Sequence, residues 1–148
     1  MRPMRGQAGV EMLLCLPFML ALTFVLADCT VMFSCQLKLN AAVAESARWA
    51  NAAKETDEGA IGAHAREDAK RACAVEDVEV DVSLKRGEKR YTASVPGTNK
   101  SVAAKTSMWN GHIKATARPK TFASTFGLPA PALKSDAPVS ITIEEAVK

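Results

Sequence analysis

The sequence predicts an α+β protein: a long N-terminal transmembrane helix that continues into the extracytoplasmic space, then a small head with a short helix and antiparallel strands. Three observations carry this. From Met12 to Ala27 no residue is charged, and most are Leu, Met, Phe, Val or Ala. Beyond Phe33, Leu39, Val43, Ala47 and Ala50 recur at the spacing of a helix stripe. Further on, "VEDVEVDVSL" (75–84) alternates, with Val78, Val80, Val82 and Leu84 on one side and Glu79, Asp81 and Ser83 on the other.

A chain of 148 residues suffices for one modest domain. Aromatic residues make up only 5%, and the 48% apolar fraction is concentrated near the N-terminus, so the head's core is expected to be small and rich in Ala and Val. The net charge of +3 is mild and the basic residues are spread out, which disfavours a nucleic-acid partner. The acidic run Glu76–Asp81 and the basic run Lys85–Arg90 read as solvated strand and turn faces.

Residues 1–6 form a short basic leader with Arg2 and Arg5. Val10–Ala27 is 18 residues, about the length that spans a hydrocarbon core as a helix. Arginines on its N-terminal flank put that end in the cytoplasm. Asp28 marks the membrane boundary, although Cys29–Phe33 continues apolar, so the span is drawn from Val10 to Phe33. Pro17 removes one helix hydrogen bond and is expected to bend the span. Met32 begins the stripe, while Lys38, Glu45 and Arg48 take other faces. "NAAVAESARWANAAKE" is rich in helix formers, so residues 7–53 are expected to be one helix of about 45 residues.

Residues 54–148 form the head. Thr56-Asp57-Glu58-Gly59 breaks the pattern, and Thr56 or Asp57 caps a second helix at 61–74, with Ile61, Ala65, Ala69 and Ala72 or Cys73 as its apolar edge. After the alternating strand, "KRGEKR" reads as a turn and "YTASVP" as the returning strand, ended by Pro96-Gly97. "MWNGHIKATARP" adds a strand with Asn110-Gly111 as a turn, "GLPAPALKSDAP" a Pro-rich linker and "PVSITIEEAV" a last strand.

Catalytic signatures are absent: no G-x-S-x-G, no Gly-rich phosphate loop, no H-E-x-x-H. His64 and His112 read as surface residues, and Trp49 and Trp109 as packing residues. The chain is accordingly expected to be no enzyme and to hold no cofactor or metal. Cys15 falls in the apolar run and packs as a small hydrophobe. Cys29 and Cys35 are too far apart along one helix to bridge each other. A bond from either to Cys73 stays open in an oxidising compartment, with Cys35–Cys73 as the candidate and free thiols as the ordinary state.

One residue needs a special account. Glu11 opens the apolar run, and a charge at the centre of a membrane helix costs on the order of 2.5–3.5 kcal/mol, less near an end. Counting onward from Gly6, Gln7 is first and Glu11 fifth. Here the chain resembles class IV prepilins, in which a prepilin peptidase cuts after Gly and a Glu stands fifth in the mature helix. More specifically, residues 5–53 resemble the TadE-like proteins of tight-adherence (Tad) pili, which pair Val-Glu with a Pro six residues on and then carry an Ala-rich stretch with an Arg. The matching residues are Val10-Glu11, Pro17, Ala44, Ala47 and Arg48.

The resemblance implies a structural role: a minor pseudopilin, cut between Gly6 and Gln7, that contributes to assembling an adhesive pilus. It implies as partners a prepilin peptidase, other pilin or pseudopilin subunits, the inner-membrane assembly platform and the lipid bilayer. The location implied is the bacterial inner membrane, single-pass, with incorporation into a surface pilus left open. Physics agrees: cleavage would leave an amine at Gln7 one helical turn from Glu11, and opposite charges attract strongly where the dielectric is low. Two alternatives stay open. One is an uncleaved single-pass anchor for a binding module. The other is a secreted binding domain released after Val25-Leu26-Ala27, which has small residues suited to signal peptidase. A lipoprotein is excluded because Asp28 precedes Cys29.

Overall fold

The computed structural model describes residues 7–75, 77–94 and 101–146, with side chains at 11–75, 77–90 and 105–143. The leader with Gly6, the Val10 side chain and the strand end at Pro96-Gly97 lie outside the described residues. The architecture is α+β. Helix α1 (Gln7–Ala53) runs 47 residues without a break, through Pro17, and is followed by α2 (Glu58–Cys73). Strands β1 (Val78–Ser94), β2 (Ser101–Ala117) and β3 (Leu133–Ala146) form an antiparallel sheet in the order β1-β2-β3, with the single-turn helix α3 (Phe122–Thr125) between β2 and β3.

The two halves of α1 meet different surroundings. Side chains from Glu11 to Ala27 are all exposed, including Met12, Leu13, Phe18 and Val25. From Cys35 onward one face is buried, and Leu39, Val43, Ala47 and Ala50 enter the head's core, while Lys38, Glu45 and Arg48 stay outside. Within the apolar half, the Thr23 and Thr30 hydroxyls donate to the carbonyls of Met19 and Leu26, 2.8 and 2.9 Å away. Both polar groups are thus satisfied inside the helix, as an apolar setting requires.

Asp57 caps α2 by accepting from the Gly59 N–H at 3.0 Å, one of the four orphan donors of a helix start. Its stripe of Ile61, Ala65 and Ala69 is fully buried between α1 and the sheet. Small side chains let the two helices approach closely, and Trp49 of α1 stacks on His64 of α2 with centroids 4.1 Å apart. His64 is therefore half-buried packing and not a solvated surface residue, whereas His112 is exposed and holds Asp136 at 2.9 Å.

The sheet presents Val78, Val80, Val82 and Leu84 to the helices, joined by Ile113, Ala115 and Ala117 of β2 and Ala137, Val139 and Ile141 of β3. Its other face is charged: Asp81, Lys114 and Asp136 stand side by side in register. Helix α2 protects the free edge of β1, where Glu58 accepts the Leu84 N–H at 2.7 Å.

Three local expectations are corrected. Lys85–Arg90 is not a turn, and Tyr91–Ser94 does not return: both continue β1, paired with β2 from Lys85↔Asn110 to Ser94↔Ser101. The charges there pair along β1 and across to β2. Glu88 binds Lys105 at 3.2 Å and Arg86 at 3.1 Å, and the Arg86 guanidinium sits 5.7 Å from the centre of the Trp109 ring. Asn110-Gly111 is not a turn either but the middle of β2, pairing with both neighbours. Gly111 serves close approach, because a Cβ there would collide with the Ser83 carbonyl oxygen. Finally, the segment read as a linker enters β3 at Leu133, and Pro138 is tolerated because β3 is an edge strand.

Gly111→Ala is expected to destabilise the head by on the order of 1–3 kcal/mol through overpacking against backbone. Denaturant unfolding followed through the tryptophans checks this; an unchanged midpoint would refute the close-approach role.

Candidate functional site

The residues singled out by the sequence lie along α1. The helix begins at Gln7, so Glu11 stands one turn in, exposed, at the head of the apolar segment. A helix start favours a nearby carboxylate through its unpaired N–H groups. Pro17 and Phe33 are both exposed on the same helix. By length and composition the helix can cross a membrane, and no residue of its most apolar 18-residue window is buried in the fold. Among the described residues no group of three or more His, Cys, Asp or Glu side chains is placed to hold a metal ion.

Higher on α1 the structure brings together Cys35 and Cys73. The Cys73 thiol donates to the Cys35 carbonyl oxygen at 3.3 Å, and both are free thiols in a cleft that Lys38 and Lys120 also line. Burial pushes the Cys73 thiol up to about 12; its Cys35 neighbour adds to the rise and Lys38 opposes it. Thiolate is the reactive form, so Cys73 is chemically quiet at neutral pH.

A second junction escaped the sequence. Asp28, taken only as the membrane boundary, reaches across to α3, where its two carboxylate oxygens accept the N–H groups of Phe122 (2.6 Å) and Ala123 (2.9 Å). Thr121 caps the next donor, accepting from the Ser124 N–H at 3.2 Å, and Ser124 Oγ accepts in return from the Thr121 N–H. At the other end, the Leu128 N–H bonds the Ala123 carbonyl and the Gly127 N–H bonds that of Ser124, with Gly127 at φ 79°. This is a Schellman closure, whose left-handed position favours glycine. A single turn is marginal alone; here every end is tied. Only Thr121-x-x-Ser124 and Gly127 hinted at it locally, since the main cap is supplied from 94 residues away.

Among the described residues one helix is long and apolar enough to cross a membrane, and its other half is built into a small α+β head. Residues 6–48 match the family model described as TadE-like protein, the family that the N-terminal sequence resembles. The match covers α1 almost to its end and leaves the head outside it. No curated protein and no solved structure matches the chain. Family and helix together are consistent with a membrane-anchored component associated with the Tad pilus, and imply other pilus components as partners.

Two outcomes follow. With a thiol at about 12, roughly one part in ten thousand of Cys73 is thiolate at pH 8; alkylation of the detergent-solubilised full chain, read by mass spectrometry, should label exposed Cys29 well before Cys73. Asp28→Ala should loosen α3 at a cost of about 0.5–2 kcal/mol, seen as faster proteolysis between residues 120 and 132 with the sheet intact; unchanged cleavage would show the cap to be dispensable.

Proposed function

We propose that the chain is a structural, non-enzymatic pseudopilin of a Tad-type pilus, a single-pass inner-membrane protein with its N-terminus in the cytoplasm and its head outside. A prepilin peptidase cuts between Gly6 and Gln7, removing the leader arginines. Glu11 then faces the new amine at Gln7, or that of a neighbouring subunit, and the pairing gives docking a driving force and a register. The apolar half of α1 is the membrane anchor and, on assembly, the packing surface against other pilin-like helices and the platform. By the same account the protein serves adhesion as a minor component.

The observation that carries this reading is the family match over 6–48, on a helix whose apolar half is exposed. The match includes Gly6, Gln7 and Glu11, the positions where processing and subunit pairing are expected. Release after Ala27 would cut within α1 and part Phe122 from Phe24, on which it stacks. An uncleaved anchor differs at one bond only.

Intact-mass analysis of the protein purified from its native membrane, with and without Gly6→Ala, tests the proposal. The wild type should lack the mass of residues 1–6 and the variant should retain it. A full-length mass in both would leave a plain anchor, and a chain beginning at Asp28 would mean release of the head.

A further inference from the structure

Helix α3 and the turn after it expose three large apolar side chains: Phe122 (40% exposed), Phe126 (70%) and Leu128 (60%). Such residues scattered singly need no explanation, but these are contiguous and constructed. Phe122 stacks on Phe24 of α1, with centroids 4.2 Å apart and planes within 10° of parallel. Phe126 packs edge-on against Phe122 at 5.0 Å. The turn carrying them is closed at one end by Asp28 and Thr121 and at the other by Gly127.

What covers this patch follows from where it hangs. At 1.5 Å per residue, Phe24 lies about 6 Å from Asp28 along α1, on the side of the apolar span. A ring stacked on Phe24 sits at the depth of Phe24. If the bilayer covers the exposed apolar half of α1, it also covers Phe122 and the Phe126 ring packed against it. Polar groups fall on the other side of the same level. Asp28 spends its carboxylate on two backbone donors, and exposed Arg118 and Lys120 precede α3, with Lys120 lining a cleft beside Thr30 and Ser34. Apolar rings below and basic side chains above match the boundary between acyl chains and headgroups.

We infer that the α3 corner is a second membrane contact: Phe122, Phe126 and Leu128 insert into the acyl boundary of the head-side leaflet beside α1, with Arg118 and Lys120 at its headgroups. The inference rests on the proposed membrane placement of α1 and adds to it. A head attached to its span by one helix would be free to tilt; a second contact, 94 residues away in sequence yet stacked on the same helix, fixes which side of the head faces the bilayer.

Bromine on acyl chains quenches tryptophan only at close range, and native Trp49 and Trp109 lie in the head, away from the span. The full-length chain is reconstituted into phosphatidylcholine vesicles with or without brominated acyl chains, as wild type, Leu20→Trp, Phe126→Trp and Leu128→Trp. All three replaced residues are exposed, so folding should survive. Leu20→Trp reports the span alone. The expected result is a blue-shifted added emission that brominated lipid removes, and aqueous iodide does not, in Leu20→Trp and in both α3 variants. Quenching of Leu20→Trp with α3 emission insensitive to bromine overturns this inference alone: iodide sensitivity would then mean a corner in water, and shielding from both quenchers a corner covered by protein, such as a second copy. No bromine quenching at Leu20→Trp would overturn the membrane placement and this contact with it.

Discussion

The head has no core without α1. Leu39, Val43, Ala47 and Ala50 are fully or almost fully buried, and they fill the space that α2 and the sheet would otherwise leave open. The remaining large contributors are few: Ile61 of α2, Ile113 of β2, and Val139 and Ile141 of β3. Much of the rest is alanine, which adds little apolar area per residue. Such a core tolerates no loss of an element. The helix proposed as the membrane span is therefore also the central strut of the folded part, and whatever fixes α1 fixes the head.

This coupling explains why α1 shows no break where its surroundings change. A helix that ended at Asp28 would leave four carbonyls unsatisfied at the boundary and four N–H groups at the next start. Continuing instead keeps the backbone bonds around Asp28 internal and delivers the stripe at 39–50 to the sheet in a fixed rotation. The change of environment is then written only in side chains. Hydroxyls at Thr23 and Thr30 fold back onto their own helix, and the charge of Asp28 meets backbone donors from the far end of the head.

How much of this the sequence showed depends on how local each cause is. The two helices and the start of β1 follow from residues within a few positions of one another, so periodicity and the Asp57 cap located them. The distal part of the β1–β2 pair defeated the same approach. Lys85–Arg90 carries charge on both sides of the strand, and its strand character comes from partners across the sheet: Trp109 for Arg86, and Lys105 for Glu88. Asn110-Gly111 has the composition of a hairpin turn, but Gly111 answers to crowding by the Ser83 carbonyl, which no neighbour in sequence reveals. The α3 corner was illegible for the strongest form of this reason. Four residues cannot show a period, and the carboxylate that starts the helix belongs to another element.

Asp28 also shows why a charge within an apolar run need not mark the end of a helix. Its two acceptors are matched to the N–H groups of Phe122 and Ala123, and charge-assisted bonds of that kind are stronger than neutral ones. The carboxylate can therefore sit beside the Phe24–Phe122 stack, one turn away, with both oxygens bonded. Had position 28 been apolar, the start of α3 would have lost the acceptor for two of its donors, and the corner would have less reason to hold Phe122 against Phe24. One side chain thus joins the polar requirement of a helix start to the apolar requirement of the span, and the orientation of the head on its anchor follows from that junction.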